Sequence, residues 1–161
     1  MDNKFPIYGD VIFDAKPDAV PYNYRISYKV SQLCLIIYMC GWRNTCSLIK
    51  LHMISFALLS QQNMDKLINF SDGIDESVIV RFDPAVNRAL TYSIAYGFIA
   101  QQPNGNYKLT EQGKNFAERI KLAGDLMATE IRLLTDLSKR LTETRIKELI
   151  EIWRDRHAED Q

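Results

Sequence analysis

The chain lacks an excess of either charge. Its 161 residues include 20 Lys and Arg against 20 Asp and Glu. A polybasic nucleic-acid binder needs cations beyond those its own acids neutralise, so a histone-like protein is excluded, although a local basic face is not. Residues 1–60 carry six basic and four acidic groups, residues 61–100 three and five, and residues 101–161 eleven of each. No segment is strongly basic.

Cysteine is scarce and odd in number. Cys34, Cys40 and Cys46 fit neither a disulfide framework nor the paired knuckles of a zinc site, and read as small buried residues of a reducing compartment. The charge-free apolar stretch from Val30 to Trp42 is too short to span a bilayer. Met1-Asp2-Asn3-Lys4 lacks the basic and apolar regions of a secretory signal. A cytoplasmic protein without membrane contact is the expectation.

Catalytic frames are missing too. The seven glycines are scattered and make no phosphate-cradling loop, and there is no G-x-S-x-G elbow. The two histidines, His52 and His157, belong to no metal-binding pair, and His52 reads as a hydrogen-bonded structural residue on an apolar helix. Asp72-Gly73-Ile74-Asp75-Glu76 lacks the ligand spacing of a calcium loop and reads as a solvated loop. The sequence therefore predicts no enzyme, no cofactor and no metal.

What is present is a succession of amphipathic runs. Residues 1–24, with Pro6, Pro17 and Pro21, read as an extended lead-in in which Ile7-Tyr8 and Val11-Ile12-Phe13 are short strand candidates. Ile26, Val30, Leu33, Ile37 and Cys40 recur at helical spacing, and Leu35, Ile36 and Tyr38 make that helix apolar on further faces. Gly41 is expected to end it in a left-handed conformation. After a turn at Arg43-Asn44-Thr45, a second helix follows through Leu48 and Leu59, interrupted by Gln61-Gln62-Asn63 before a short helix at Met64, Leu67 and Ile68. Val78-Ile79-Val80-Arg81-Phe82 is β-branched and reads as a strand.

Asp83-Pro84 is a helix start, with an aspartate cap and a proline where no hydrogen bond is lost. Val86, Leu90, Ile94 and Gly97 share one face, with Asn87, Arg88, Thr91 and Ala95 opposite. Phe98–Gln101 and Tyr107–Leu109 flank the hairpin chemistry of Pro103-Asn104-Gly105-Asn106, and Thr110 caps a further helix. This order predicts a mainly α protein of α+β winged-helix type over residues 25–120. Its recognition helix is Pro84–Tyr96 and its wing Gln101–Tyr107. Residues 121–161 form a C-terminal helical extension. The pattern from Phe116 to Leu141 suggests a helix of about 25 residues, with a break near 141–142, where Thr142 can cap a second amphipathic run.

Two candidate contact sets follow. Arg81, Asn87, Arg88, Thr91, Lys108 and Lys114 could meet DNA or a partner protein: phosphate contacts give position, and so few cations do not specify sequence. Ile146, Leu149, Ile150 and Trp153 form an apolar face that either docks a partner or folds back on the domain's own core.

Several segments carry a resemblance. Gly41-Trp42-Arg43-Asn44, Ser47-Leu48-Ile49-Lys50-Leu51-His52, Phe56-Ala57-Leu58-Leu59-Ser60, Phe82-Asp83-Pro84-Ala85-Val86-Asn87-Arg88-Ala89-Leu90, Gly97-Phe98-Ile99 and the Tyr107–Lys114 stretch are involved. Together they resemble the small middle component of bacterial ABC-three-component anti-phage defence systems, the group that includes Lamassu-type systems. The likeness covers about residues 25–120 and no motif of the tail. It implies a non-catalytic winged-helix adaptor that bridges an SMC/Rad50-like ABC ATPase and a larger effector subunit, with Asn87 and Arg88 on a contact surface. The competing expectation is a stand-alone transcription regulator of winged-helix type, homodimeric through its terminal helices and bound to a palindromic DNA site.

Overall fold

A computed structural model describes residues 25–160. The lead-in of residues 1–24, with its two strand candidates, lies outside the described residues. Within them the protein is mainly helical, with one small three-stranded antiparallel sheet. The order is α1 (Ile26–Cys40), β1 (Thr45–Cys46), α2 (Leu48–Ala57), α3 (Gln61–Ser71), α4 (Pro84–Ala95), β2 (Ile99–Gln101), β3 (Tyr107–Leu109), α5 (Glu111–Ala123), α6 (Ala128–Leu137) and α7 (Glu143–Glu159).

Helix α1 is the central strut, because its sequence is apolar on more than one face. Leu33, Cys34, Leu35, Ile36 and Ile37 are all buried, and α2, α4, α5 and α6 pack around them. Burial pushes the thiols of Cys34, Cys40 and Cys46 up to about 12, as suits inert core residues. Gly41 ends α1 for a different reason from the expected one. Its φ is −78°, but a Cβ there would lie 2.5 Å from the Ile37 carbonyl oxygen and 2.9 Å from that of Thr45. The glycine is needed for close backbone approach, and the left-handed residues are Arg43 and Asn44 of the following turn.

The strands pair in the order β1-β3-β2, with Thr45 opposite Lys108 and Ala100 opposite Lys108 on its other side. The strand expected at Val78–Phe82 is absent; this segment is irregular, while the dipeptide Thr45-Cys46 supplies the third strand. Val78 and Val80 nevertheless pack against the core. A β-branched run reports fit to a half-buried surface rather than hydrogen-bonded pairing, which explains the difference. Gln61-Gln62-Asn63 likewise opens α3 instead of interrupting a helix, because Ser60 caps it by accepting the Asn63 amide at 3.0 Å.

The expected helix of about 25 residues is two helices. α5 stops at Gly124, whose φ is +77°, and Met127 enters α6 at φ +54°. The break turns Leu133, Leu134 and Leu137 back onto the body, where α6 packs against α1 and α3. A continuous helix would carry these leucines away from that core. The break expected near 141–142 coincides with the start of α7, which Thr142 caps by accepting the Arg145 amide at 3.1 Å.

The docking reading of the tail needs correction at two of its four residues. Ile146 and Leu149 are 2% and 3% exposed and belong to the same apolar core as α1 and α2. A side chain already withdrawn from solvent by its own domain offers a partner no further apolar area. Ile150 and Trp153 are half-buried against that core. Arg145, in the first turn of this helix, adds a clamp. Arg145 lies 4.3 Å from the Phe70 ring centre, donates to the Phe70 carbonyl at 3.0 Å and pairs with Glu76 at 3.1 Å. Arg140 pairs with Asp72 at 2.8 Å. The charges of the tail thus tie α7 and its approach to the end of α3.

Candidate functional site

Helix α4 is held at its start by the two features that mark it in the sequence. Asp83 caps it by accepting the Ala85 amide at 2.9 Å, and Pro84 occupies the first turn. Its inner face is Ala85, Val86, Ala89, Leu90 and Ser93. Ile94, expected on the inner face with Val86 and Leu90, is 42% exposed. The buried stripe follows the small residues Ala85, Ala89 and Ser93, which let α4 approach α1 closely. Ser93 satisfies its hydroxyl by donating to the Ala89 carbonyl at 2.7 Å.

Beneath the start of α4 lies a polar cluster that sequence reading missed. Lys29 of α1 is buried and donates to Ser55 Oγ at 2.8 Å and to Gln32 Oε1 at 3.1 Å, with Asp83 Oδ2 3.9 Å away. Burial lowers the pKa of Lys29, and the Asp83 carboxylate opposes that shift. Gln32 donates to the Tyr28 hydroxyl at 3.4 Å, and Tyr28 in turn donates to the Glu130 carboxylate of α6. The chain of bonds therefore links α6, α1 and α2 to the cap of α4. The sequence signals were Lys29, the one charged residue of α1, and Gln32 three residues on.

His52 belongs to the same cluster and has both ring nitrogens against polar partners. Its Nδ1 accepts the Asp83 amide at 3.1 Å, which requires a lone pair there, and Nε2 faces Asn87 Oδ1 at 3.4 Å. Burial lowers the pKa of His52, with the Asn87 contact and the Asp83 charge opposing. Lys29, His52, Arg81, Phe82 and Asp83 border a cavity of about 250 Å³. Among the described residues no group of His, Cys, Asp and Glu is arranged to hold a metal ion.

The six residues expected to make contacts are distributed over four parts of the chain. Asn87, Arg88 and Thr91 are exposed on α4, although Asn87 is turned in part toward His52 and Thr91 donates to the Asn87 carbonyl at 3.2 Å. Arg81 lies in the irregular segment before α4, with its guanidinium 5.5 Å from the Phe56 ring centre. Lys108 is exposed on β3. Lys114 is in the first turn of α5, 3.7 Å from Glu111. No ion pair or side-chain hydrogen bond joins one of these cations to another among the described residues.

Aromatic residues dominate the rest of the outer surface of α4. Tyr92 and Tyr96 are 45% and 55% exposed, with ring centres 6.3 Å apart. Tyr96 lies 6.0 Å from Phe98, which stacks on Phe116 of α5 at 4.6 Å. An exposed aromatic pair thus continues into a stacked one. Neither tyrosine was among the principal contact residues read from the sequence, because the alternation in α4 did not show which side α1 would cover.

Compared with protein-family models, with curated proteins and with solved structures, the chain matches none. Among the described residues no helix is long and apolar enough to cross a membrane.

Proposed function

We propose that this chain is a winged-helix assembly subunit whose α4 surface docks a partner protein. The observation that carries the reading is the composition of that surface: Tyr92 and Ile94 are exposed on the second half of α4 and Tyr96 at its end, while Arg88 is the single cation of the helix. Tyrosines with one arginine suit a protein interface, where aromatic side chains and arginine supply much of the binding energy. A phosphate track would require more cations on the same helix. The element order α1-β1-α2-α3-α4-β2-β3 and the strand order β1-β3-β2 support the winged-helix description, with residues 102–106 as the wing.

The resemblance to the middle component of ABC-three-component systems makes the partner an SMC/Rad50-like ATPase, with a larger effector joined through this adaptor. Co-expression with the products of adjacent genes tests this reading. A stable complex is expected, weakened at least tenfold by Tyr96→Ala, with little DNA binding by the chain alone. Absence of an SMC-like ATPase from the adjacent genes would remove the adaptor reading. A symmetric dimer that binds DNA with a steep salt dependence, lost in Arg88→Glu, would establish the regulator instead.

A further inference from the structure

A second cleft, away from α4, has the chemistry of an anion site. It has a volume of about 260 Å³ and is bordered by Cys40 at the end of α1, Trp42, Lys50 of α2, Lys139, and residues 141–144 leading into α7. Three features of this cleft favour a negative charge. Lys50 is only 2% exposed, yet it makes no side-chain hydrogen bond or ion pair within 4 Å among the described residues. A buried ammonium without a partner is costly, and an anion brought beside it removes that cost. Lys139 brings a second ammonium to the same cleft, where it donates to the Gly41 carbonyl at 2.7 Å.

The third feature is the start of α7. The Thr142 hydroxyl caps the Arg145 amide and the Thr142 carbonyl accepts the Ile146 amide, which leaves the amides of Glu143 and Thr144 without an acceptor among the described residues. Free amides and the positive end of a 17-residue helix attract anions. Burial drives the Cys40 thiol up to about 12, while the charges of Lys50 and Lys139 both oppose that shift.

Glu143 is the one acid of the cleft, and its carboxylate is already engaged: Oε2 accepts the Ser47 amide at 2.9 Å, at the start of α2. The remaining wall is apolar, formed by Leu141, Cys40 and the indole of Trp42, which is 67% exposed at the rim. We propose that this cleft binds a small organic anion, with a phosphate or carboxylate head between Lys50, Lys139 and the start of α7 and a compact apolar body against Leu141 and Trp42. The site is independent of the α4 surface.

Isothermal titration of the full chain with phenyl phosphate, benzoate, inorganic phosphate and uncharged benzyl alcohol tests it. Phenyl phosphate or benzoate is expected to bind, to quench Trp42 fluorescence and to raise the melting temperature, whereas benzyl alcohol does none of these. Lys50→Met, which replaces a buried charge with an apolar side chain of similar length, should keep the fold and reduce affinity at least tenfold. Lys139→Ala, at an exposed position, should weaken the same binding by a smaller factor. Inorganic phosphate binding as tightly as phenyl phosphate would overturn the apolar half of the site. Unchanged affinity in Lys50→Met, or no binding of either organic anion at about 10 mM, where even a Kd of about 1 mM is visible, would overturn the site itself.

Discussion

Leu149 decides whether α7 is a structural element or a docking arm. It is 3% exposed, lies on the core side of α7, and borders, with Met53, Ala57 and Leu67, a groove of about 490 Å³. Leu149→Ala removes roughly three methylene equivalents at ~0.8 kcal/mol each, about 2.4 kcal/mol of transfer free energy. The residual cavity adds a further penalty, but the adjoining groove is open and lets the space fill, so the total stays near the low end of the ~2–5 kcal/mol range. A loss of about 2.5–3.5 kcal/mol follows, equivalent to a fall in Tm of roughly 5–14 °C for a domain of this size. Thermal and urea unfolding followed by circular dichroism measure it. Ile152→Ala on the same helix, 36% exposed, serves as the control and should cost less than about 1 kcal/mol. Truncation after Leu141 deletes Ile146 and Leu149 together and should abolish cooperative unfolding. If Leu149→Ala melts within about 1 °C of the wild type while losing capture of a partner, α7 is an arm and the packing account is wrong.

Further expectations concern individual contacts. Arg145→Ala removes the contact with the Phe70 ring and the hydrogen bond to its carbonyl, and should cost about 1–3 kcal/mol in urea unfolding. Arg145→Lys should recover less than half of it, because an ammonium cannot stack and fork at once; full recovery would refute that geometry. Gly113→Ala should destabilise although alanine is the better helix former by about 1 kcal/mol, since the new Cβ would meet the Phe98 carbonyl oxygen at 2.1 Å. A rise in Tm would contradict the close approach of α5 to Phe98. His52 has a pKa below 6.5 in the fold, so below about 6.5 the unfolded chain binds more protons than the folded one. Its contribution to stability is therefore present above pH 6.5 and is lost as pH falls toward the folded pKa. His52→Gln should flatten the dependence of unfolding free energy between about pH 5 and 7; an unchanged slope would refute the assignment.

The balance of twenty positive against twenty negative charges has two structural consequences. On α4 it leaves one arginine, Arg88, with Tyr92 on the helix and Tyr96 at its end. In the tail it becomes specific intramolecular ties, Arg140 to Asp72 and Arg145 to Glu76, rather than a uniformly solvated face. Interleaved charges along a helix look the same in both cases, because the partner of a charge is fixed by which helix lies beside it.

Local signals were legible wherever a few neighbouring residues determine the outcome. Asp83-Pro84, Thr110 and Thr142 each cap a helix because the capping bond spans only two or three residues. The hairpin at Gln102–Asn106 and the helical pattern of Ile26–Cys40 are local in the same sense. Tertiary structure alone decided the rest. It selected Thr45-Cys46 over the more β-branched Val78–Phe82 as the third strand, because only the former lies beside β3. It broke the helix at Gly124 so that Leu133, Leu134 and Leu137 could reach α1 and α3, and it drew Ile146 and Leu149 into the core. It also placed Lys29 and Lys50 inside, where sequence spacing alone gives a lysine no reason to be. An amphipathic pattern states that a face will be buried, but the surface that buries it is supplied by residues distant in the chain.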